Sequence, residues 1–558
     1  MNRTRKSSLA LLTALPLLSS CFYLTHGTHI SFPGKTQTDS SASMDYKDGD
    51  DNFSYQAKST GDSSNLTLSN IGAGFDYHYL PSTGNSKILV VPIQFQDDSF
   101  TQAELSRIQN TFFGDSSDTY WESVSSFYKK SSFGKLNISG TVADPLTYQG
   151  TVSEFQTAYN SASKENKVYT DSLLQSALNK QVSKGVDLSS FDSDSDGYID
   201  AVWMVYSSKM DSSEDAWWAY TTWAGLTSSN SSSSVTFSGM KASCYSWASV
   251  DFMLEGSNLS SSFLTTNGDA HTFVHETGHM MGLDDYYSYD YDYSKGLYDT
   301  PLGGVDMMDF NIGDHNPFSK ALLGWKTPFE VTEAYLKANN YKVTLTDFPT
   351  TGYSILLPVI HNGTDTYYGN AFAEYLLVDL YTPLGLNSQD TSGYAGNGLA
   401  TFTNAGIRVT HINSSVGKIV VNSTNDGLVW DGTTYTGIPS ADKDNNLGYD
   451  HVYYPIFSNT RSRSYAKIKD DTDFYRGRLI SLLPATGSKI QGSSHNIKTY
   501  AGNSSLYKKG DSFGLKNGAY SDFYFDTGDK PQFGFTVESL STSTSGASAT
   551  LVFSRFGE

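Results

Sequence analysis

The segment His275-Glu276-Thr277-Gly278-His279-Met280-Met281-Gly282-Leu283-Asp284-Asp285 constrains this chain more than any other. On a helix, two histidines four residues apart share a face and lie one turn, ~6 Å, apart along the axis. Both rings can then converge on one tetrahedral zinc ion. Glu276 follows the first histidine and so lies beside the ion rather than on it, placed to take a proton from water that the ion polarises. Gly282 falls where the helix must stop, and its tolerance of positive φ allows the sharp turn that swings the next residues back toward the ion.

Catalytic zinc commonly takes three protein ligands. Asp285 lies ten residues after His275, the offset at which the metzincin pattern places its third histidine, and is the expected third ligand. Asp284 is the fallback, because spacing does not decide which carboxylate turns inward. Downstream, Gly303-Gly304-Val305-Asp306-Met307-Met308-Asp309-Phe310 is similar to a Met-turn, the tight loop that forms an apolar floor under a metzincin metal site. Met308 is favoured over Met307 as the floor residue. Some metzincins carry a tyrosine two residues after that methionine, but this chain has Phe310, which offers no donor. Tyr286, Tyr287 and His315 are the remaining candidates for a hydrogen bond to a developing oxyanion, each with packing or solvent contact as its other reading.

Together these residues resemble the M6 family of metallopeptidases, the immune inhibitor A group, whose motif runs HExxHxxGLxD. His275, Glu276, His279, Gly282, Leu283 and Asp285 match it position by position. Ser125-Ser126-Phe127-Tyr128-Lys129 followed by Ser132-Phe133-Gly134-Lys135-Leu136 is similar to the family's early helix-to-strand signature. The segment from Asp309 through His315-Asn316-Pro317-Phe318-Ser319-Lys320 to Leu323-Gly324-Trp325 resembles the end of its catalytic domain. Gly406-Ile407-Arg408-Val409-Thr410-His411-Ile412 resembles a strand of its β-rich C-terminal part. The resemblance covers roughly 86–558 and implies an extracellular endopeptidase with one zinc ion, often with structural calcium.

The N-terminus agrees with export. Arg3, Arg5 and Lys6 precede an apolar stretch over 9–18, too short to span a bilayer as a helix, so 1–20 reads as a signal peptide. Leu18-Ser19-Ser20-Cys21 resembles the lipobox of bacterial lipoproteins, with Cys21 as the lipidated residue; the other reading is an ordinary signal peptide with an incidental cysteine. A lipid on Cys21 would tether the protein to a membrane while its domains stay in water. Cys244 is the only other cysteine, so no internal disulfide survives lipidation, and packing or metals must stabilise the chain. A net charge of -20 without clustered Lys and Arg excludes a nucleic-acid surface.

Residues 21–85 are Ser-, Thr-, Gly- and Asp-rich with little apolar periodicity and read as a tether or pro-segment. Within it Asp45-Tyr46-Lys47-Asp48-Gly49-Asp50-Asp51 reads as a solvated charge run. From about 86 to 330 strands alternate with helices: strands over 87–95, 136–142 and 201–206, helices over 102–113, 123–129 and 164–184. Beyond Trp325 short alternating runs split by Gly, Asn and Asp mark β structure, for example 354–359, 374–381, 406–412 and 549–553. The expected fold is therefore α+β and multidomain. A zincin-like α/β catalytic domain over 86–330 precedes β-sandwich material, as a β-rich domain over 331–495 and a C-terminal β-rich region over 496–558.

Inside the first of these, Asp192-Ser193-Asp194-Ser195-Asp196-Gly197-Tyr198-Ile199-Asp200 follows the DxDxDG plan that wraps oxygen ligands around calcium, with Gly197 at the sharp turn. Asp192, Asp194, Asp196, Tyr198 and Asp200 are its candidate ligands. Val205 stands where an EF-hand places its bidentate glutamate, so this is not a complete EF-hand, and a solvated acidic turn is the other reading. The Asp- and Tyr-rich stretch 284–299 is a second candidate calcium or rim loop. The sequence points to protein or peptide substrates and leaves specificity and oligomeric state open. A rival reading is a calcium-stabilised binding or adhesive lipoprotein with a vestigial zinc site, against which the intact glutamate argues.

Overall fold

The structure is a computed structural model that describes residues 78–558 apart from internal stretches, the longest being 162–167, 211–215, 225–234, 255–266, 288–300, 366–373, 393–401, 421–428, 437–450, 456–478 and 489–500. The signal peptide, Cys21, nearly all of the tether and most of the 284–299 stretch lie outside the described residues.

The upstream part runs β1 (Gly84–Gln94), α1 (Gln102–Phe113), α2 (Val124–Ser131), β2 (Leu136–Val142), α3 (Val152–Ser161), α4 (Val168–Ser183), β3 (Ala201–Tyr206), β4 (Tyr220–Trp223), β5 (Cys244–Ser249), α5 (His271–Met280), α6 (Met307–Phe310) and α7 (Pro317–Leu322). Its sheet has the order β2-β1-β3-β5-β4, with the two-residue strand Leu146–Thr147 also on β1. All neighbours are parallel except β5 and β4, which are antiparallel, so β4 forms an antiparallel edge. A parallel sheet must be covered on both faces, and its middle strand β3 is accordingly buried at every position. Along β1, Ile88 and Val90 face one core with Phe273, Val274 and Met280 of α5, while Leu89, Val91 and Ile93 face another with Leu173, Leu174 and Leu178 of α4.

The single helix expected over 164–184 is α4 alone, starting at Val168; the shorter α3 precedes it and buries only Phe155. One anchor is too weak a periodic signal to read from sequence. Strands β4 and β5 were not expected either. β5 is buried at all six positions, yet its Ser246 and Ser249 break the apolar run that would announce it.

Downstream come β6 (Phe329–Glu330), β7 (Lys342–Thr346), β8 (Ser354–Leu357), β9 (Glu374–Tyr381), β10 (Gly406–Asn413), β11 (Ile480–Leu482), β12 (Ser512–Phe513), β13 (Phe533–Ser543) and β14 (Gly546–Arg555). They form a five-stranded sheet, β6-β8-β9-β10-β11, and a four-stranded sheet, β7-β14-β13-β12. The segments 331–495 and 496–558 are interleaved, because β7 pairs with β14 along its length. The molecule is thus mixed α and β, with several sheets and few helices.

The five-stranded sheet is buried on both faces. Ile355, Leu357, Leu376, Val378 and Val409 join Leu345, Phe535, Val537 and Leu551 of the four-stranded sheet in one core. Leu356, Tyr375, Leu377, Ile412 and Leu482, on the opposite face, join the core that holds α5. That face also carries the register pair Asp379 and Arg408, joined by two hydrogen bonds of 3.0 and 3.1 Å, a bidentate geometry that lets both charges stay buried.

Candidate metal centre

Helix α5 carries the histidine pair, and its residues from His271 to Met280 are all buried. Its end is a Schellman turn: Gly282 N–H donates to His279 O at 2.8 Å and Leu283 N–H to Gly278 O at 3.1 Å. Gly282 sits at φ 94, a left-handed conformation that only glycine adopts at little cost. That reversal brings Leu283 O onto His279 Nδ1 at 2.8 Å and carries Asp285 to the other side of the same ring.

His279 Nε2 and His275 Nε2 are 3.1 Å apart, and Asp285 Oδ1 lies 2.9 Å from His275 Nε2 and 3.2 Å from His279 Nε2. A tetrahedral ion with bonds of ~2.0–2.1 Å sets its ligand atoms roughly 3.3 Å apart, so this triangle has the size of three corners of such a site. The other ring nitrogens are committed, His275 Nδ1–H to Met307 O and His279 Nδ1–H to Leu283 O, both at 2.8 Å. With those protons in place each neutral ring turns a lone pair toward the same point, the second-layer arrangement metal-binding histidines show. Burial opposes charge on His279, but Asp285 outweighs it and raises the ring to about 10. Burial likewise favours the neutral carboxyl, yet His279 and His275 hold Asp285 well below the usual carboxylate range. Without a cation, the cluster therefore retains a proton in its stead.

Glu276 also comes within 4.8 Å of the two imidazoles. Glu276 Oε2 is held by Thr221 Oγ1 of the edge strand β4 at 2.7 Å. Ser246 Oγ lies 2.6 Å from that hydroxyl and can donate to it, leaving the threonine proton for Glu276. Asp284, the fallback ligand, is half-buried, whereas Asp285 is fully buried.

Beneath the helix lies Met308. A Cβ added to Gly278 would stand 2.6 Å from Met308 Sδ and 3.4 Å from the Tyr128 hydroxyl, so only glycine admits this floor. Tyr128 in turn donates to Val274 O at 2.6 Å, and Trp203 Nε1–H to Thr277 Oγ1 at 3.2 Å. Asp306 caps α6 through Met308 N–H at 2.9 Å and accepts from Asn316 Nδ2 at 2.8 Å. Burial pushes the Asp306 carboxyl up to about 6.

Of the three oxyanion candidates, Tyr286 has its hydroxyl committed to another side chain. Tyr286 meets Ser319 Oγ through its hydroxyl at 2.7 Å, and the Tyr287 ring packs near Phe310. His315 lies among Phe127, Tyr128 and Trp325, where burial, then Lys320 and His275, hold its imidazole well below its ordinary value.

In the acidic loop, Asp192, Asp194 and Asp200 place carboxylate oxygens within 4.8 Å of one another. Ser195 and Gly197 have φ 63 and 88 and make the turn. Asp192 accepts from Asp196 N and Gly197 N at 3.0 and 3.1 Å, and Asp200 from Ser193 N and Lys87 N at 2.8 and 2.7 Å. Burial raises Asp200 to about 6, and burial followed by Asp196 raises Asp194. Asp196 Oδ2 meets His78 Nδ1 at 2.5 Å, and the Tyr198 ring stacks on His78 with ring centroids 3.3 Å apart.

Sequence reasoning missed Thr221, which sits on an unforeseen strand, and the carbonyls of Met307 and Leu283, which no side-chain pattern announces. It also passed over His271, although its spacing of four before His275 repeats that of the pair. No protein-family model matches the chain, and no curated protein matches it.

Proposed function

We propose that this chain is a zinc-dependent endopeptidase, of the kind the M6 resemblance implies, with a zincin-like upstream part and a downstream pair of sheets arranged as a β-sandwich. The observation that carries the reading is the triangle of His275 Nε2, His279 Nε2 and Asp285 Oδ1, with sides of 2.9 to 3.2 Å and both Nδ1–H groups turned to carbonyls. Zinc, when bound there, supplies Lewis acidity that polarises a peptide carbonyl and lowers the pKa of a water molecule toward ~7.

The chain's own residues supply the rest. Glu276, beside the triangle, takes the proton as water attacks the carbonyl carbon and returns it to the departing amine as the C–N bond breaks. Thr221 fixes the carboxylate by its 2.7 Å hydrogen bond, so the base need not search for its position. Met308 packs its thioether against the helix at Gly278, where a side chain would collide with it. We read the Asp192, Asp194 and Asp200 cluster as a structural calcium site, and Cys21 as a lipid anchor holding the protein at the outside of a bacterial membrane.

The decisive test is Glu276→Ala. Zinc content should match the wild type while casein hydrolysis falls by about 10²–10⁴-fold, the share a positioned general base contributes. Hydrolysis that survives the substitution, or that a chelator leaves untouched in the wild type, removes this reading.

A further inference from the structure

His271 opens helix α5 one turn before His275, so three imidazoles occur at intervals of four. Its ring takes a different set of partners. Fully buried, it places Nδ1 2.5 Å from Asp269 Oδ1 and Nε2 3.2 and 3.3 Å from the two oxygens of Asp390, and it stacks on Trp121 with ring centroids 4.1 Å apart. The two carboxylates sit at opposite nitrogens of one ring, so no single ion touches all three groups. A neutral imidazole has one N–H and would turn a lone pair toward one of the two carboxylates. The cation that satisfies both is the imidazolium itself.

The same segment that brings Asp390 holds this end of the helix in other ways. Asp390 Oδ2 accepts from Gly313 N–H at 2.7 Å, Asn387 Oδ1 accepts from Asp314 N–H at 3.0 Å, and Trp121 Nε1–H donates to Leu386 O at 3.0 Å. Residues 385–392 follow β9 and belong to the downstream part of the chain. Helix α5 begins at Ala270, which has no side chain able to cap it, and Asp269 Oδ1 accepts the His271 N–H at 3.0 Å instead. Two carboxylates and one imidazolium leave a net negative charge at the helix start, where the helix dipole favours it.

We infer that His271 is a positioning residue: clamped as a cation between Asp269 and Asp390, it fixes the first turn of α5 and so the line along which His275 and His279 meet Asp285, and it makes Leu386, Asn387 and Asp390 part of the metal centre's support. Burial opposes this charge, and the two carboxylates outweigh it, raising the ring to about 10. The positioning role rests on the metal centre proposed above, whereas the charge on His271 does not.

The test uses the full chain. His271→Gln should bind zinc about tenfold more weakly in competition with a chelator, a loss of the size seen when a group that orients metal ligands is removed, and should shift the visible absorption bands of the cobalt-loaded protein. Asp390→Asn keeps the side chain's volume and an acceptor for Gly313 but removes the charge; it carries the same two readouts should His271→Gln fail to fold, and is expected to shift both in the same direction. Wild-type affinity and unshifted cobalt bands in a folded variant overturn the positioning role. Nitrogen chemical shifts of the unaltered, histidine-labelled protein decide the clamp separately: both His271 ring nitrogens protonated at pH 8 supports it, and a neutral tautomer overturns it. If the wild type binds no metal, the peptidase reading falls while those shifts still decide the charge.

Discussion

The two clusters of candidate metal ligands in this molecule solve opposite problems. At His275, His279 and Asp285, donor atoms from a helix and the turn after it face one another across 2.9 to 3.2 Å in a buried site. At Asp192, Asp194 and Asp200, three carboxylates share one loop, and the loop's own backbone N–H groups already satisfy Asp192 and Asp200. Two lone pairs aimed at one point are tolerable only with a cation or a proton between them. Carboxylates wrapped by N–H donors gain from a cation but do not depend on it. The first site should therefore fail outright when disturbed, and the second by degrees.

The largest effect tests the first half of that contrast. His279→Ala removes one corner of the triangle and strips Asp285 of a partner, so zinc should be lost altogether and hydrolysis with it, as metal analysis and casein assay would show. A variant that still holds stoichiometric zinc would mean that the triangle is not the site. Next comes the floor. Gly278→Ala forces a methyl group to within 2.6 Å of Met308 Sδ and should cost about 1–3 kcal/mol of stability by overpacking, read from denaturant unfolding. Combining it with Met308→Ala should recover part of that loss; no recovery would place the strain elsewhere.

The acidic loop should respond more gently. Calcium at a hundred times its dissociation constant adds about 2.7 kcal/mol, a thermal shift of several degrees that Asp192→Asn should shrink while leaving zinc in place. A calcium-independent melting temperature would return the loop to the solvated-turn reading. The smallest effect is on pH. In the metal-free protein His279 is raised to about 10, so its share of stability is complete below its unfolded value of ~6.5 and fades as pH climbs through about 10. Asp285, held low, adds stability above its unfolded value of ~3.9 that is lost as pH falls beyond it. Zinc must displace the shared proton, so its apparent affinity should rise about tenfold per pH unit near neutrality, measurable as one proton released per ion into a weakly buffered indicator solution.

What the sequence disclosed and what it withheld divide along the same physical line. The spacing of His275 and His279, the glycine at 282 and the offset of Asp285 are local, and helix geometry with one left-handed turn converts them directly into a site. Met308 was legible for a similar reason, as part of a short loop with its own pattern. Thr221, Asp390 and the carbonyl of Met307 reach the centre from 55, 119 and 32 residues away along the chain, through pairings that no local rule encodes. Strands β9 and β10 were visible as short β-rich runs, but their burial on two faces was not, because Leu376 and Leu377 look alike in sequence and face different cores. In the acidic loop the spacing suggested five ligands, and the fold brings the carboxylates of Asp192, Asp194 and Asp200 together, while His78, 118 residues away from Asp196, meets that carboxylate through a contact no local spacing encodes.

The doubly covered five-stranded sheet has a mechanical consequence. Among the described residues this sheet carries apolar side chains into a core on either side, and close-packed interiors pass strain onward rather than absorb it. Anything that grips the downstream strands would thus pull on the same body that holds the histidine helix, and heat should melt the two together in one cooperative step.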